Sequence, residues 1–339
     1  MDEPAGGIAS EFREVPDILL RQAKSASRPL AELVARLRHK PPQVVVTCAR
    51  GSSAHAATFG KYLIERHVGV PVAAASPSIA TVYRRPLQLR DQLFIAVSQS
   101  GRSDDLIEMT SAARAAGALT LAVVNDEHSP LAAASDIVLP MAAGPERSVA
   151  ATKTFVSSLA ALLRLAAAWA DESDLAAAIE RLPQRLAAAG DLDWRAALDA
   201  LAHATSLVTI GRGPTLAIAR EAALKLKETC DLHAEPFSSA EFRHGPIALV
   251  APSYPILMFM PTDAAAAGMR ALAADLQQKG ARVFATGQPK DLPALPPDHP
   301  DTDAVCLIQS FYALLVDIAA RRGIDADRPR HLQKVTRTR

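Results

Sequence analysis

Short runs that are continuously rather than alternately apolar, with helical stretches between them, constrain this chain more than any other feature. They lie at 44–47, 70–74, 93–97, 119–124 and 137–139, with helical segments near 53–67, 104–116 and 129–135 between them. A strand that does not alternate apolar with polar residues is buried on both faces, which happens where helices cover both sides of a parallel sheet. The predicted class is therefore α/β. Upstream, the pattern from Ile8 to His39 is helical, broken by Pro16 and Pro29, and Pro41-Pro42 ends it before the first strand. Downstream, Thr152 to Ala170 reads as a long Ala/Leu helix, followed by Asp171-Glu172-Ser173-Asp174 and a further helix to Ala189.

The second half repeats the first. VVVTCARGSSAHAA matches LVTIGRGPTLAIA, with Arg50-Gly51 on Arg212-Gly213, and the strand and helix ending at Gly117 match those ending at Gly280. Strands at 206–210, 256–260, 282–286 and 304–308 would complete a second sheet, so the chain reads as a duplicated α/β unit. A length of 339 residues, 49% of them hydrophobic, suffices for two cores. The expected organisation is an N-terminal helical segment over 1–40, a first domain over 41–170, a helical connection over 171–193 and a second domain over 194–339.

A net charge of +1 gives no reason to expect nucleic acid or an anionic membrane as partner. The start, MDEPAGGIASE, has no apolar signal core, and no apolar run is expected to approach the ~18 residues of a spanning helix. Arg164 interrupts the best candidate. Cys48, Cys230 and Cys306 are far apart and without CxxC spacing, which suggests neither a disulfide framework nor a zinc site and fits a reduced cytoplasm. Each is expected to be a small buried packing residue.

In doubly wound sheets, ligands collect where strands end and helix N-termini offer free N–H groups to anions. In the first copy two such turns are rich in hydroxyls: Gly51-Ser52-Ser53 after the first strand and Ser98-Gln99-Ser100-Gly101-Arg102-Ser103 after the third. Together they can cradle one phosphate, although serines at such places also serve as ordinary helix caps. No Gly-Lys-Ser/Thr follows and GxGxxG is absent, so a phosphorylated small molecule is favoured over a nucleotide. The second copy has Pro261-Thr262-Asp263 at the corresponding turn, with too few donors to hold an anion well.

The second copy carries a different chemistry. Gly211 and Gly213 follow a strand, and Pro214 suits the first position of a helix. On that helix Glu221, Lys225 and Glu228 fall within about 60° of one another at 100° per residue, with Leu216, Ala219, Ala223 and Leu226 opposite. A Glu with a Lys four residues on is also the usual solvated, ion-paired helix face. Just beyond, Phe242-Arg243-His244-Gly245-Pro246 sets an imidazole, which suits proton transfer at about pH 7, in a loop that Gly and Pro restrict.

These stretches together resemble a known family. Gly51-Ser52-Ser53, SQSGRSDD from Ser98, AATKTF from Ala150, EAALKLKE from Glu221, HAEPFSSAEFRHGP from His233 and DRPRHLQK from Asp327 are similar to the paired sugar-isomerase (SIS) domains of glutamine:fructose-6-phosphate aminotransferase. The resemblance covers nearly everything after Ile8. It implies two tandem SIS domains, each a parallel sheet of about five strands flanked by helices in a flavodoxin-like arrangement. No glutaminase domain like that of the family is expected, since no cysteine follows Met1, and release of ammonia from glutamine is not expected.

The resemblance further implies that Ser53, Ser98, Gln99, Ser100 and Ser103 hold a sugar phosphate, with Gly51, Ser52 and Val149 along the sugar. It implies that Glu228 shuttles a proton between sugar C1 and C2 with Lys225 and Glu221 in support, and that His244, reaching across from a partner subunit, opens the ring. Lys334 would form an imine or assist ring opening, in a tail where Arg328, Arg330 and His331 are its sequence neighbours. A partly buried carboxylate that takes and returns a carbon-bound proton contributes about 10²–10⁴-fold in rate. No metal or organic cofactor is implied.

Two positions depart from the aminotransferase: Arg102 stands where it has Glu, and Ala151 where it has a sugar-contacting Ser. SQSGRS-type loops resemble those of stand-alone SIS enzymes that remove amines from amino-sugar phosphates. The expected function is conversion of glucosamine 6-phosphate and water to fructose 6-phosphate and ammonia by a cytoplasmic homodimer. Alternatives are a galactosamine-6-phosphate deaminase, a fructosamine-6-phosphate deglycase, an ammonia-dependent glucosamine-6-phosphate synthase or a non-catalytic sugar-phosphate sensor.

Overall fold

The computed structural model describes residues 7–287 and 292–334. The acidic start through Gly6 and the residues after Lys334 lie outside the described residues. The described residues form two compact units, one from Asp17–Glu146, Lys153–Glu180 and 333–334, the other from 7–16, Arg147–Thr152, 181–287 and 292–332.

The first unit begins with α1 (Val15–His39) and continues through β1 (Val45–Ala49), α2 (Gly51–Leu63), β2 (Val72–Ala74), β3 (Leu93–Ser98), α3 (Asp104–Ala115), β4 (Leu119–Val124) and β5 (Ile137–Pro140). The helix α4 (Lys153–Ala170) follows, and α5 (Ser173–Ala189) leads out of it. The strands form one parallel sheet in the order β2-β1-β3-β4-β5. Every residue of β3 is buried, as its unbroken apolar run requires of a central strand covered on both sides. Val46, Cys48, Phe94 and Ala96 face a core completed by Leu106 and Met109 of α3.

Pro29 does not break α1, contrary to the sequence expectation. It removes the amide that would bond the carbonyl four residues back. That carbonyl belongs to exposed Ser25, so it is open to water. One turn before Ser25, Gln22 Nε2 donates to the carbonyls of Pro140, Met141 and Ser157 at 3.3, 3.2 and 2.8 Å.

The second unit contains β6 (Ser206–Gly211), α6 (Pro214–Cys230), β7 (His233–Ser238), β8 (Pro255–Met258), α7 (Ala266–Gln278), β9 (Arg282–Ala285) and α8 (Pro300–Arg321). Its parallel sheet runs β7-β6-β8-β9, the path of the first sheet without a fifth strand among the described residues. Two sequence expectations change here. The run 304–308 is the interior of α8 and not a strand, because a continuous apolar run fits a helix buried all round equally well. The strand beside β6 is instead β7, which carries His233, Glu235 and Pro236 and pairs on one side only. An edge strand tolerates Pro and polar residues, so it lacks the apolar signature of its neighbours.

The long helix α8 also alters the expectation about apolar runs. It has 22 residues, and its most apolar window has a mean hydropathy of 1.6 with 78% of that window buried inside the protein. Its burial against α6 makes it a core helix of the second unit.

Candidate active-site residues and their family

In the first unit the two hydroxyl-bearing turns are neighbours. The strands β1 and β3 pair directly, with Ala49 opposite Val97, so both end at the same level. From there the chain turns to β2 on one side and β4 on the other. This reversal of strand order is where open α/β sheets leave a crevice for ligands.

The turn after β1 holds Arg50 extended as the N-cap of α2 and Gly51 at φ 52°. Only glycine adopts that left-handed backbone without strain, and it brings Ser52 and Ser53 into the first turn of the helix, both half-buried. In the turn after β3, Ser98 Oγ accepts a bond from the Gly101 amide at 3.1 Å, and Ser100 Oγ accepts one from the Arg102 amide at 3.3 Å. Gly101, at φ 63°, has no room for a side chain: a Cβ there would stand 2.1 Å from Ser129 Oγ. Gln99, Ser100 and Ser103 are half-buried. Ser103 occupies the N-cap of α3 in extended conformation, yet its hydroxyl makes no capping bond. The alternative that this serine merely caps a helix is therefore not what its side chain does.

Sequence reasoning missed the bridge between these turns. Arg50 Nε and Nη2 both donate to Asp105 Oδ2, at 2.9 and 2.8 Å, and the Asp105 side chain is 1% exposed. The bridge joins the N-terminus of α2 to the first turn of α3 and so sets the spacing of the loops. The Asp-Asp after Ser103 was the available signal, but an acidic first turn is common at any helix start. Arg102, the first departure from the aminotransferase pattern, turns to Asp126 at 2.8 Å on the surface.

In the second unit α6 starts from two glycines with separate reasons. Gly213 has φ 59° as its N-cap, and a Cβ on Gly211 would lie 2.2 Å from the Thr215 carbonyl oxygen. The Glu221-Lys225-Glu228 stripe is not the solvated face that its spacing also allows. Lys225 and Glu221 side chains are 1% and 0% exposed, and only Glu228, at 22%, reaches solvent. Lys225 Nζ lies 3.3 Å from Glu221 Oε1 and 2.5 Å from Glu228 Oε2. Burial by itself lowers the pKa of this ammonium, but Glu221 and then Glu228 more than offset it, so the value rises above the ordinary lysine value. The stripe is buried because α6 packs against β6 and β7 as well as α8.

His244 is exposed at the end of the short helix Ser239–Arg243, its amide donating to the Glu241 carbonyl at 3.0 Å. Gly245 follows at φ 124° and Pro246 starts the next turn, the restriction expected of this pair. Val149 is half-buried in a segment held by two acids. The Glu11 carboxylate accepts from the Arg147 amide at 2.5 Å and the Ser148 amide at 3.3 Å. Asp327 Oδ1 accepts from the Ile8 amide at 2.7 Å and from Ser148 Oγ at 3.2 Å.

Lys334 has a different setting from the cationic one its sequence neighbours suggest. Its Nζ donates to Glu146 Oε2 at 3.1 Å, and the Glu146 side chain is fully buried. Arg330 instead pairs with Asp231. The three cysteines are buried, as expected. Burial pushes the Cys48, Cys230 and Cys306 thiols up to about 12, about 11 and about 12, which keeps them protonated and poorly nucleophilic at neutral pH.

The SIS domain model matches residues 39–168 and 200–289. The chain belongs to the SIS-domain family. Glutamine–fructose-6-phosphate aminotransferase (isomerizing) of Zymomonas mobilis is 31% identical over 356 residues, which cover 96% of this chain and 58% of that protein. The chain thus spans about half the length of the curated relatives it matches. The crystal structure of a candidate phosphosugar isomerase from Silicibacter pomeroyi DSS-3 shares 44% identity at a TM-score of 0.90, covering 94% of this chain and 99% of that one. The C-terminal domain of glucosamine-fructose-6-phosphate aminotransferase from Francisella tularensis, 24% identical, has the same fold at a TM-score of 0.86, covering 97% of this chain and 99% of the domain. The SIS chain is therefore similar to the isomerase half of the aminotransferase, as its motifs imply.

Proposed function

We propose that this SIS protein is an amino-sugar-phosphate deaminase and isomerase, converting glucosamine 6-phosphate and water to fructose 6-phosphate and ammonia. The observation that carries the reading is the α6 stripe: a buried ammonium fixed between two carboxylates, of which only Glu228 reaches solvent. Such a carboxylate is held in place by its neighbour and is open to a substrate, which is what proton transfer at carbon requires. The paired turns after β1 and β3 support a phosphate-bearing substrate.

In the proposed reaction Ser53, Ser98, Gln99, Ser100 and Ser103 hold the phosphate. Val149, Gly51 and Ser52 border the sugar. Glu228 takes the C2 proton of the open-chain aldehyde and returns it to C1, which leaves a hydroxymethyl group at C1 and an imine at C2. Water adds to that imine and ammonia leaves, giving the ketose. Lys225 and Glu221 hold Glu228, while His244 and Lys334 serve ring opening or the imine step. The protein works as a cytoplasmic homodimer, each His244 serving the neighbour's site.

The test is ammonia release from glucosamine 6-phosphate by the purified protein and by Glu228→Gln. Release by the wild type and a loss of about 10³-fold in the variant are expected; a wild type that releases none removes the reading. The Arg102–Asp126 pair and Ala151 favour one second reading, a related SIS enzyme with another amine. Galactosamine 6-phosphate, fructosamine 6-phosphate, and fructose 6-phosphate with free ammonia in the same assay distinguish these.

A further inference from the structure

Among the buried acids, Glu146 has a bonding pattern that structural need does not exhaust. It lies eight residues before Thr154, at the start of α4, and its side chain is fully buried. Thr154 donates to both of its oxygens, from the amide to Oε1 at 3.1 Å and from the hydroxyl to Oε2 at 2.7 Å. These bonds anchor the carboxylate on a rigid helix and place its charge at the helix N-terminus, where the macrodipole favours it. Lys334 Nζ then reaches the same Oε2 at 3.1 Å from 188 residues along the chain, with its side chain 26% exposed. Oε2 is thus a fixed acceptor that meets a mobile-stemmed lysine of the C-terminal segment. An ammonium sits on a long flexible stem, so an ionic contact to a fixed oxygen restricts where its end can lie.

We propose that Glu146 is the positioning residue of Lys334, holding the end of its side chain where a sugar phosphate meets it. The proposal rests on the deaminase and isomerase reading for the role of Lys334, but the contact itself can be tested without turnover. Glu146→Gln removes the charge that holds Lys334, while its amide oxygen can still accept from the Thr154 N–H and its NH2 can donate to the Thr154 hydroxyl oxygen. The expected kinetic result is a fall in kcat of about tenfold or more with KM within about twofold, because the phosphate-binding turns are untouched. Lys334→Ala should lose at least as much, and the double variant no more than Lys334→Ala alone, since both act through one group. Hydrogen exchange over residues 328–334 should quicken in Glu146→Gln, with the melting temperature near that of the wild type.

Wild-type kcat in Glu146→Gln, losses that multiply in the double variant, or unchanged exchange over 328–334 would each overturn the proposal. A wild type inactive on every sugar phosphate tried, with exchange that still quickens in Glu146→Gln, would sink the catalytic reading and leave the positioning of Lys334 standing.

Discussion

A lysine ammonium taken out of water costs several kcal/mol unless carboxylates replace the hydration it loses. Lys225 meets two, which more than offset the burial of its ammonium, so its pKa is raised and the lysine stays protonated. Removing it would take an ionic contact from Glu221, whose side chain is 0% exposed. Lys225→Met is therefore expected to lose about 3–5 kcal/mol of stability in urea unfolding, whereas Glu228→Gln, at a partly solvated position, should lose under about 1 kcal/mol. Equal effects would mean that the stripe is an ordinary helix face. The spacing of Glu221, Lys225 and Glu228 was legible from helical periodicity. Their burial was not, because an i, i+4 Glu–Lys pair has the same pattern whether water or protein covers it.

Serines at the starts of helices divide by what their hydroxyls do. Ser129 Oγ accepts from the Ala132 amide at 3.3 Å and Ser238 Oγ from the Glu241 amide at 3.1 Å, while Ser103 makes no such bond at the start of α3. Loss of a working cap costs about 1 kcal/mol, so Ser238→Ala should lower the unfolding free energy by that amount. Ser103→Ala should change stability by less than about 0.5 kcal/mol. It should weaken fructose 6-phosphate binding about tenfold, measured by calorimetry, since a bond to a charged group is the stronger kind. Equal destabilisation by the two variants, with binding unchanged, would make Ser103 a cap. At this scale the central strands and the Gly51 and Gly213 turns could be read directly, because burial on both faces and a left-handed backbone leave marks in residue type. The β7 edge strand and the helix α8 could not: one carries polar residues that its open side tolerates, and the other an apolar run that two periods fit.

The duplicated path of the two sheets gives each unit a crevice where strand order reverses, and in the first unit the turns beside it carry Ser52, Ser53, Ser98, Ser100 and Ser103. An exposed His244 in the second unit fits a residue that serves a neighbouring subunit. Mixing His244→Ala with Glu228→Gln protein under conditions of subunit exchange should restore about a quarter of wild-type activity, the share of sites that receive both intact residues in a random mixture of dimers. No recovery despite proven exchange would place His244 outside the shared site. By itself the sequence determined the α/β class, through periodicity and local backbone preference, and the family, through its motifs in order. The tertiary structure alone decided that the α6 stripe is buried, that Arg50 ties the two turns through Asp105, and that Lys334 meets Glu146. The first depends on what packs over the helix, and the other two are pairings between charges far apart in the chain, whose partners depend on where folding leaves them.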